Sequence, residues 1–86
     1  MENKYQEAEF TLNCTEIRIK RLMTESSPNK SMPRKLLSGI IGVDVNTIRR
    51  MENEPDFNPG VFTIAKLANY FNVSLDSLLV KKKVKN

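Results

Sequence analysis

Apolar residues recur at helical spacing along most of the chain, and polar, turn-forming stretches separate the recurrences. The first helix is expected to begin near Cys14. Asn13 is placed to cap it, and Glu16 follows three residues later, as in a capping box. Ile17, Ile19, Leu22 and Met23 supply its apolar stripe, with Arg18, Lys20 and Arg21 covering the rest. Residues 26–31 are rich in turn formers and read as loop. A second helix is expected over residues 33–41, with Pro33 in its first turn and Leu36, Leu37, Ile40 and Ile41 as its buried face. Gly39 lowers helix propensity there and suggests a close-packing position.

The third periodic stretch is the most informative. Gly42 suits the left-handed position after a helix, and Asp44 suits the N-cap of the next one. With Ile48 at the centre of the buried face, Met51 and Glu52 fall beside it. Asn46 and Arg50 then point away from the core, with Asn53 near them. An outward ridge of Asn and Arg can pair with adenine and guanine edges, though a solvated polar face has the same pattern. Pro55 and Pro59 end this element. A fourth helix is expected over residues 60–71, closed by Asn72, with Val61, Ile64, Ala65, Leu67, Ala68 and Phe71 at core spacing. Ser74 then caps a short fifth helix over residues 75–80, whose apolar residues are Leu75, Leu78 and Leu79. Residues 9–12 alternate polar and apolar, which suits a short strand. Three regions follow: an arm over residues 1–12, either disordered or pairing with a second subunit; a globular domain over 13–80; and a basic tail over 81–86.

Charge sharpens this picture. Residues 17–51 carry eight bases and two acids, whereas 52–80 carry Lys66 against Glu52, Glu54, Asp56 and Asp76. The basic block coincides with the second and third helices, the usual layout of a nucleic-acid footprint. In the first turn of the second helix, Arg34 and Lys35 are placed to grip a phosphate. The single cysteine, Cys14, forms no intrachain disulfide and fits a reducing cytoplasm. With no histidine, a zinc site is not expected, and no cofactor is implied. The N-terminal stretch lacks the apolar run of a signal peptide, and no apolar run is long enough to span a membrane.

Leu36-Leu37-Ser38, Gly42-Val43, Thr47-Ile48-Arg49-Arg50-Met51-Glu52, Asn58-Pro59 and the closing Asn72-Val73-Ser74-Leu75-Asp76-Ser77-Leu78-Leu79 resemble the XRE (Cro/cI-type) helix-turn-helix domains of lambda-repressor-like fold. The resemblance covers roughly residues 15–80. It implies an all-α, compact five-helix bundle whose second helix lies across the DNA backbone while the third enters the major groove. It assigns base contacts to Val45, Asn46 and Arg50, and phosphate contacts to Arg34, Lys35, Thr47, Arg49 and Asn53. Three features depart from the pattern. The loop between the first two helices is about four residues longer than usual. Glu54 and Asp56 stand where relatives carry bases. The family often pairs the third-helix glutamate, here Glu52, with a first-helix arginine, and the corresponding position reads Met23. Arg18, Lys20 or Arg21 is left to satisfy Glu52 if the first helix is rotated or shifted.

The reading that follows is a sequence-specific double-stranded-DNA-binding regulator, repressor-like and cytoplasmic. It would act as a homodimer on a palindromic operator, joined through Leu75, Leu78 and Leu79, with Glu52 a structural buried acid. The alternative is a protein-binding helix-turn-helix module, such as an antitoxin or an antirepressor-type partner. A regulatory protein partner fits either. No membrane and no small-molecule substrate are implied, and no catalytic constellation is present, so an enzyme is not expected.

Overall fold

The computed structural model describes residues 10–82. It is mostly helical, with four α-helices and two small two-stranded sheets. Helix α1 (Cys14–Met23) starts where Asn13 Oδ1 accepts from the Glu16 amide at 3.2 Å. Its buried residues are Ile17 and Arg21. These are four positions apart and therefore about 40° apart around the helix. The expected stripe of Ile19, Leu22 and Met23 lies outward instead, with Met23 76% exposed. The correction has an electrostatic cause: α1 turns Arg21 inward to meet the buried carboxylate of Glu52.

The lengthened connection after α1 is not an irregular loop. Strands β2 (Glu25–Ser27) and β3 (Lys30–Ser31) pair as an antiparallel hairpin, with Glu25 opposite Ser31 and Ser27 opposite Lys30. Asn29 takes φ 64° at its tip, and the Glu25 carboxylate accepts from the Asn29 amide at 3.1 Å. The next residue, Met32, is buried, and its amide donates to Thr24 O at 2.9 Å, closing the base of the hairpin.

Helix α2 (Arg34–Ile41) begins after Pro33, which serves as its N-cap, and ends at Gly42 with φ 69°. Only Leu37 is fully buried; Leu36 and Ile40 are exposed and Ile41 is half-buried. Gly39 is exposed too, and a Cβ added there would meet nothing within 4 Å, so it is not the close-packing position its sequence suggested. Helix α3 (Val45–Asn53) follows after the turn at 42–44. The Asp44 carboxylate accepts from the Asn46 and Thr47 amides at 2.9 and 3.4 Å. Helix α4 (Val61–Phe71) buries Ile64, Leu67 and Ala68 but leaves Ala65 outside, and it stops at Asn72 with φ 56°.

The expected fifth helix is a single 3-10 turn, Leu75–Leu78. The Ser77 hydroxyl donates to Ser74 O at 2.6 Å, a local bond that competes with helix continuation. The chain then becomes strand β4 (Leu79–Lys81), which pairs antiparallel with β1 (Phe10–Leu12) in the register Phe10 to Lys81 and Leu12 to Leu79. Residues 10–12 of the expected arm are thus engaged by their own chain. Residues 1–9 of that arm, and 83–86 of the basic tail, lie outside the described residues. The core gathers Ile17, Leu37, Ile48, Met51, Leu67 and Leu78, each fully buried, with α1 and α2 both packed on α3. Leu78 is a core residue of the single chain, and so it is not available to a subunit interface as the sequence reading supposed.

Candidate nucleic-acid interface

Helices α2 and α3, joined by Gly42-Val43-Asp44, form the helix-turn-helix pair. Ile48, Met51 and Glu52 hold α3 to the core, which turns Val45, Asn46, Arg49 and Asn53 to solvent and leaves Thr47 and Arg50 half-buried.

The underside of α3 is fixed by charge as well as by apolar packing. The Glu52 side chain is wholly buried. Arg21 donates to it from Nε at 2.6 Å and from Nη2 at 3.0 Å, a two-point pairing, while its Nη1 donates to Met32 O at 2.7 Å. Arg34, from the first turn of α2, adds a third bond, Nε to Glu52 Oε1 at 2.9 Å. Bonds between ionised groups are the strong kind, and a buried carboxylate requires several of them to offset its lost hydration. Among the described residues no buried side-chain polar atom lacks a partner. Arg21 was one of three donors the sequence left open; Arg34 was not among them. Its side chain stays 34% exposed, so it can hold Glu52 and still face outward. Lys35 beside it is exposed.

On the outward face the polar residues are already engaged with each other. Asn46 Oδ1 accepts from Arg49 Nε at 3.1 Å and Nη2 at 2.7 Å. Asn53 Nδ2 donates to Arg49 O at 2.7 Å, closing the last turn of α3. Arg50 starts from the outward line of Asn46, but its guanidinium is turned toward the C-terminal end of the helix. There Nε and Nη2 donate to the Glu54 carboxylate at 3.0–3.2 Å, and Phe57 lies under the guanidinium carbon at 4.0 Å from the ring centroid. The bond from Arg50 holds the Glu54 carboxyl below the usual carboxylate range. A helical wheel cannot show this, because it places Cα–Cβ directions and not rotamers. Glu54 and Phe57, at i+4 and i+7 from Arg50, were the available signal. Asp56 on the same loop is paired with Lys82 at 3.4 Å.

Cys14 is partly buried, and burial pushes its thiol above the ordinary value, which makes it a poor nucleophile at neutral pH. Among the described residues no group of His, Cys, Asp and Glu could hold a metal ion, and no helix is long and apolar enough to cross a membrane.

A family model described as helix-turn-helix matches residues 29–78, the run from the hairpin tip to the end of the 3-10 turn. The chain belongs to the XRE-type helix-turn-helix family. Two curated proteins are similar to it, both named as uncharacterized HTH-type transcriptional regulators. One is from Rickettsia conorii and one from Rickettsia prowazekii, and each is 32% identical over 72 residues, or 80% of this chain. The aligned stretch spans 65% of the first relative and 77% of the second. No solved structure gives a significant match. The matched run excludes α1, so Arg21, the main partner of Glu52, lies outside the helix-turn-helix match itself.

Proposed function

We propose that the chain is a repressor-like, sequence-specific regulator that binds double-stranded DNA as a homodimer on a palindromic operator. The observation that carries this reading is the presentation of α3. Its inner face is locked by Ile48, Met51 and the ion network on Glu52, while Val45, Asn46 and Arg49 are exposed on its outer face, and Arg34 and Lys35 stand in the first turn of α2. Val45, 41% exposed, offers an apolar contact to a thymine methyl, and Asn46 offers a bidentate pairing to adenine once Arg49 yields its oxygen. Arg50 is the third base reader, and Arg34, Lys35, Thr47, Arg49 and Asn53 are the phosphate contacts. Leu75 and Leu79, half-buried along an open groove of about 500 Å³ that Phe10, Phe57 and Val61 also line, are the dimer contacts that remain once Leu78 is assigned to the core. Selection against random duplex DNA tests the reading. A recovered motif with two half-sites about one helical turn apart supports it, and no enrichment defeats it.

A second reading, a helix-turn-helix surface turned to another protein, is favoured by one observation: Glu54 neutralises the Arg50 cation on the outer face of α3. A DNA binder releases counterions and loses affinity steeply with salt, whereas a protein-binding module shows no such dependence on duplex.

A further inference from the structure

The outer face of α3 contains one contact that works against DNA binding. The Arg50 guanidinium is held on one edge by both oxygens of Glu54, four residues on, and on one face by the Phe57 ring. The Asp44 end of α3 is the one whose side chains would enter a groove, and this site is at the other end, where the chain leaves the helix. Glu54 occupies the Nε–Nη2 edge of the Arg50 fork and offsets its charge, so a base or phosphate meets only the remaining Nη1–Nη2 edge, and that against a neutralised cation. The pair is half-exposed, 41% and 44%, so exchange of Glu54 for a DNA acceptor needs no unfolding.

Resting on the DNA-binding reading above, we infer that Glu54 and Phe57 are positioning residues for Arg50, and that Glu54 sets how much of the Arg50 charge the operator can use. In the free protein Arg50 is stowed at the end of α3, and sequence reading begins with Val45 and Asn46. Arg50 gives its full charge to the operator when a phosphate or guanine replaces the Glu54 carboxylate. The exchange has a thermodynamic signature. When Arg50 moves from Glu54 to a DNA acceptor, a cation leaves the DNA atmosphere and another gathers at the bared carboxylate. The net counterion release from Arg50 is therefore near zero. With the carboxylate removed, Arg50 releases its counterion in full.

The experiment is a cycle of four full-length chains: wild type, Glu54→Gln, Arg50→Ala and the double variant. Each is titrated with its selected duplex over a range of salt, and the Glu54 carboxyl is followed by NMR through acid pH without DNA. Glu54→Gln should tighten duplex binding roughly fivefold and steepen the salt slope by about one unit per protomer. Arg50→Ala should leave the slope nearly unchanged in the wild-type background and lower it by about one unit in the Glu54→Gln background. Glu54 should titrate below the usual carboxylate range in the wild type and return to it in Arg50→Ala. A normally titrating Glu54 in the wild type overturns the inference, as does equal affinity of wild type and Glu54→Gln. If none of the four chains binds any duplex at low salt, the DNA-binding reading fails and the role of Glu54 fails with it. A wild type that binds with no response to Glu54→Gln defeats the role of Glu54 alone.

Discussion

At the scale of single residues, this protein places its strongest charges where they do structural work. Glu52 is the clearest case, since it lies in the core between two arginines from two different helices. Removing it strands Arg21, which is buried, so Glu52→Ala should destabilise the fold by about 3–5 kcal/mol, measured by urea denaturation. Arg34→Ala should cost less stability, because Arg34 keeps one side toward water and Arg21 alone still pairs Glu52. It should also weaken binding to preferred and random duplex alike, lowering the salt slope by about one unit per protomer. Glu54 predicts an acid dependence of the opposite kind from a buried base. Its folded-state pKa is depressed, so the stability it adds is present above the ordinary carboxylate range and is lost as pH falls through the folded value. That acid-side loss should be smaller in Arg50→Ala, in denaturation followed from neutral to acid pH. The inward position of Glu52 was legible from its spacing to Ile48. The identity of its partners was not: Arg21 reads as a solvated base until the carboxylate it must neutralise is placed beneath it.

At the scale of elements, legibility followed the strength of the periodic signal and its caps. Helix α3 could be read almost residue by residue, because Asp44 marks its start and Ile48, Met51 and Glu52 share one face. The hairpin β2–β3 could not be read, because its strands are short, wholly exposed and polar, with no alternation to mark them. The 3-10 turn was read as a helix because three leucines supply the right spacing, but the local Ser77 bond and the pairing of Leu79–Lys81 with β1 intervene. Helix α2 provides a contrast between two glycines. At Gly39 nothing opposes a Cβ, so Gly39→Ala should stabilise the protein by roughly 1 kcal/mol. At Gly42, with φ 69°, Gly42→Ala should destabilise it by about 1 kcal/mol despite equal room, because the backbone conformation disfavours a side chain. Thermal melting of the two variants should move in opposite directions.

At the scale of the whole molecule, the sequence pointed to a helical domain with a helix-turn-helix at its centre, but the closure of that domain came only from the structure. Leu78 illustrates the difference. It looked like an interface leucine and is a fully buried core residue, so Leu78→Asp should unfold the chain. If Leu75 and Leu79 make the dimer, Leu75→Asp should lower the sedimentation mass at micromolar concentration while far-UV circular dichroism stays helical. The closure itself has a mechanical consequence. Strands β1 and β4 lie side by side and antiparallel, with Phe10 opposite Lys81 at the outer end. A force applied between those two residues acts along the bonds that join the strands, not across them, because antiparallel ladder bonds run perpendicular to the strand axis. The ladder should therefore unzip one rung at a time, starting at Phe10, instead of resisting as a sheared unit. When the rung at Leu12 and Leu79 opens, Leu12 leaves the core and the Asn13 amide, which donates to Leu78 O at 2.9 Å, is next in line. Held by its described ends, this domain should yield to tension at its seam first, with the helix-turn-helix pair still folded.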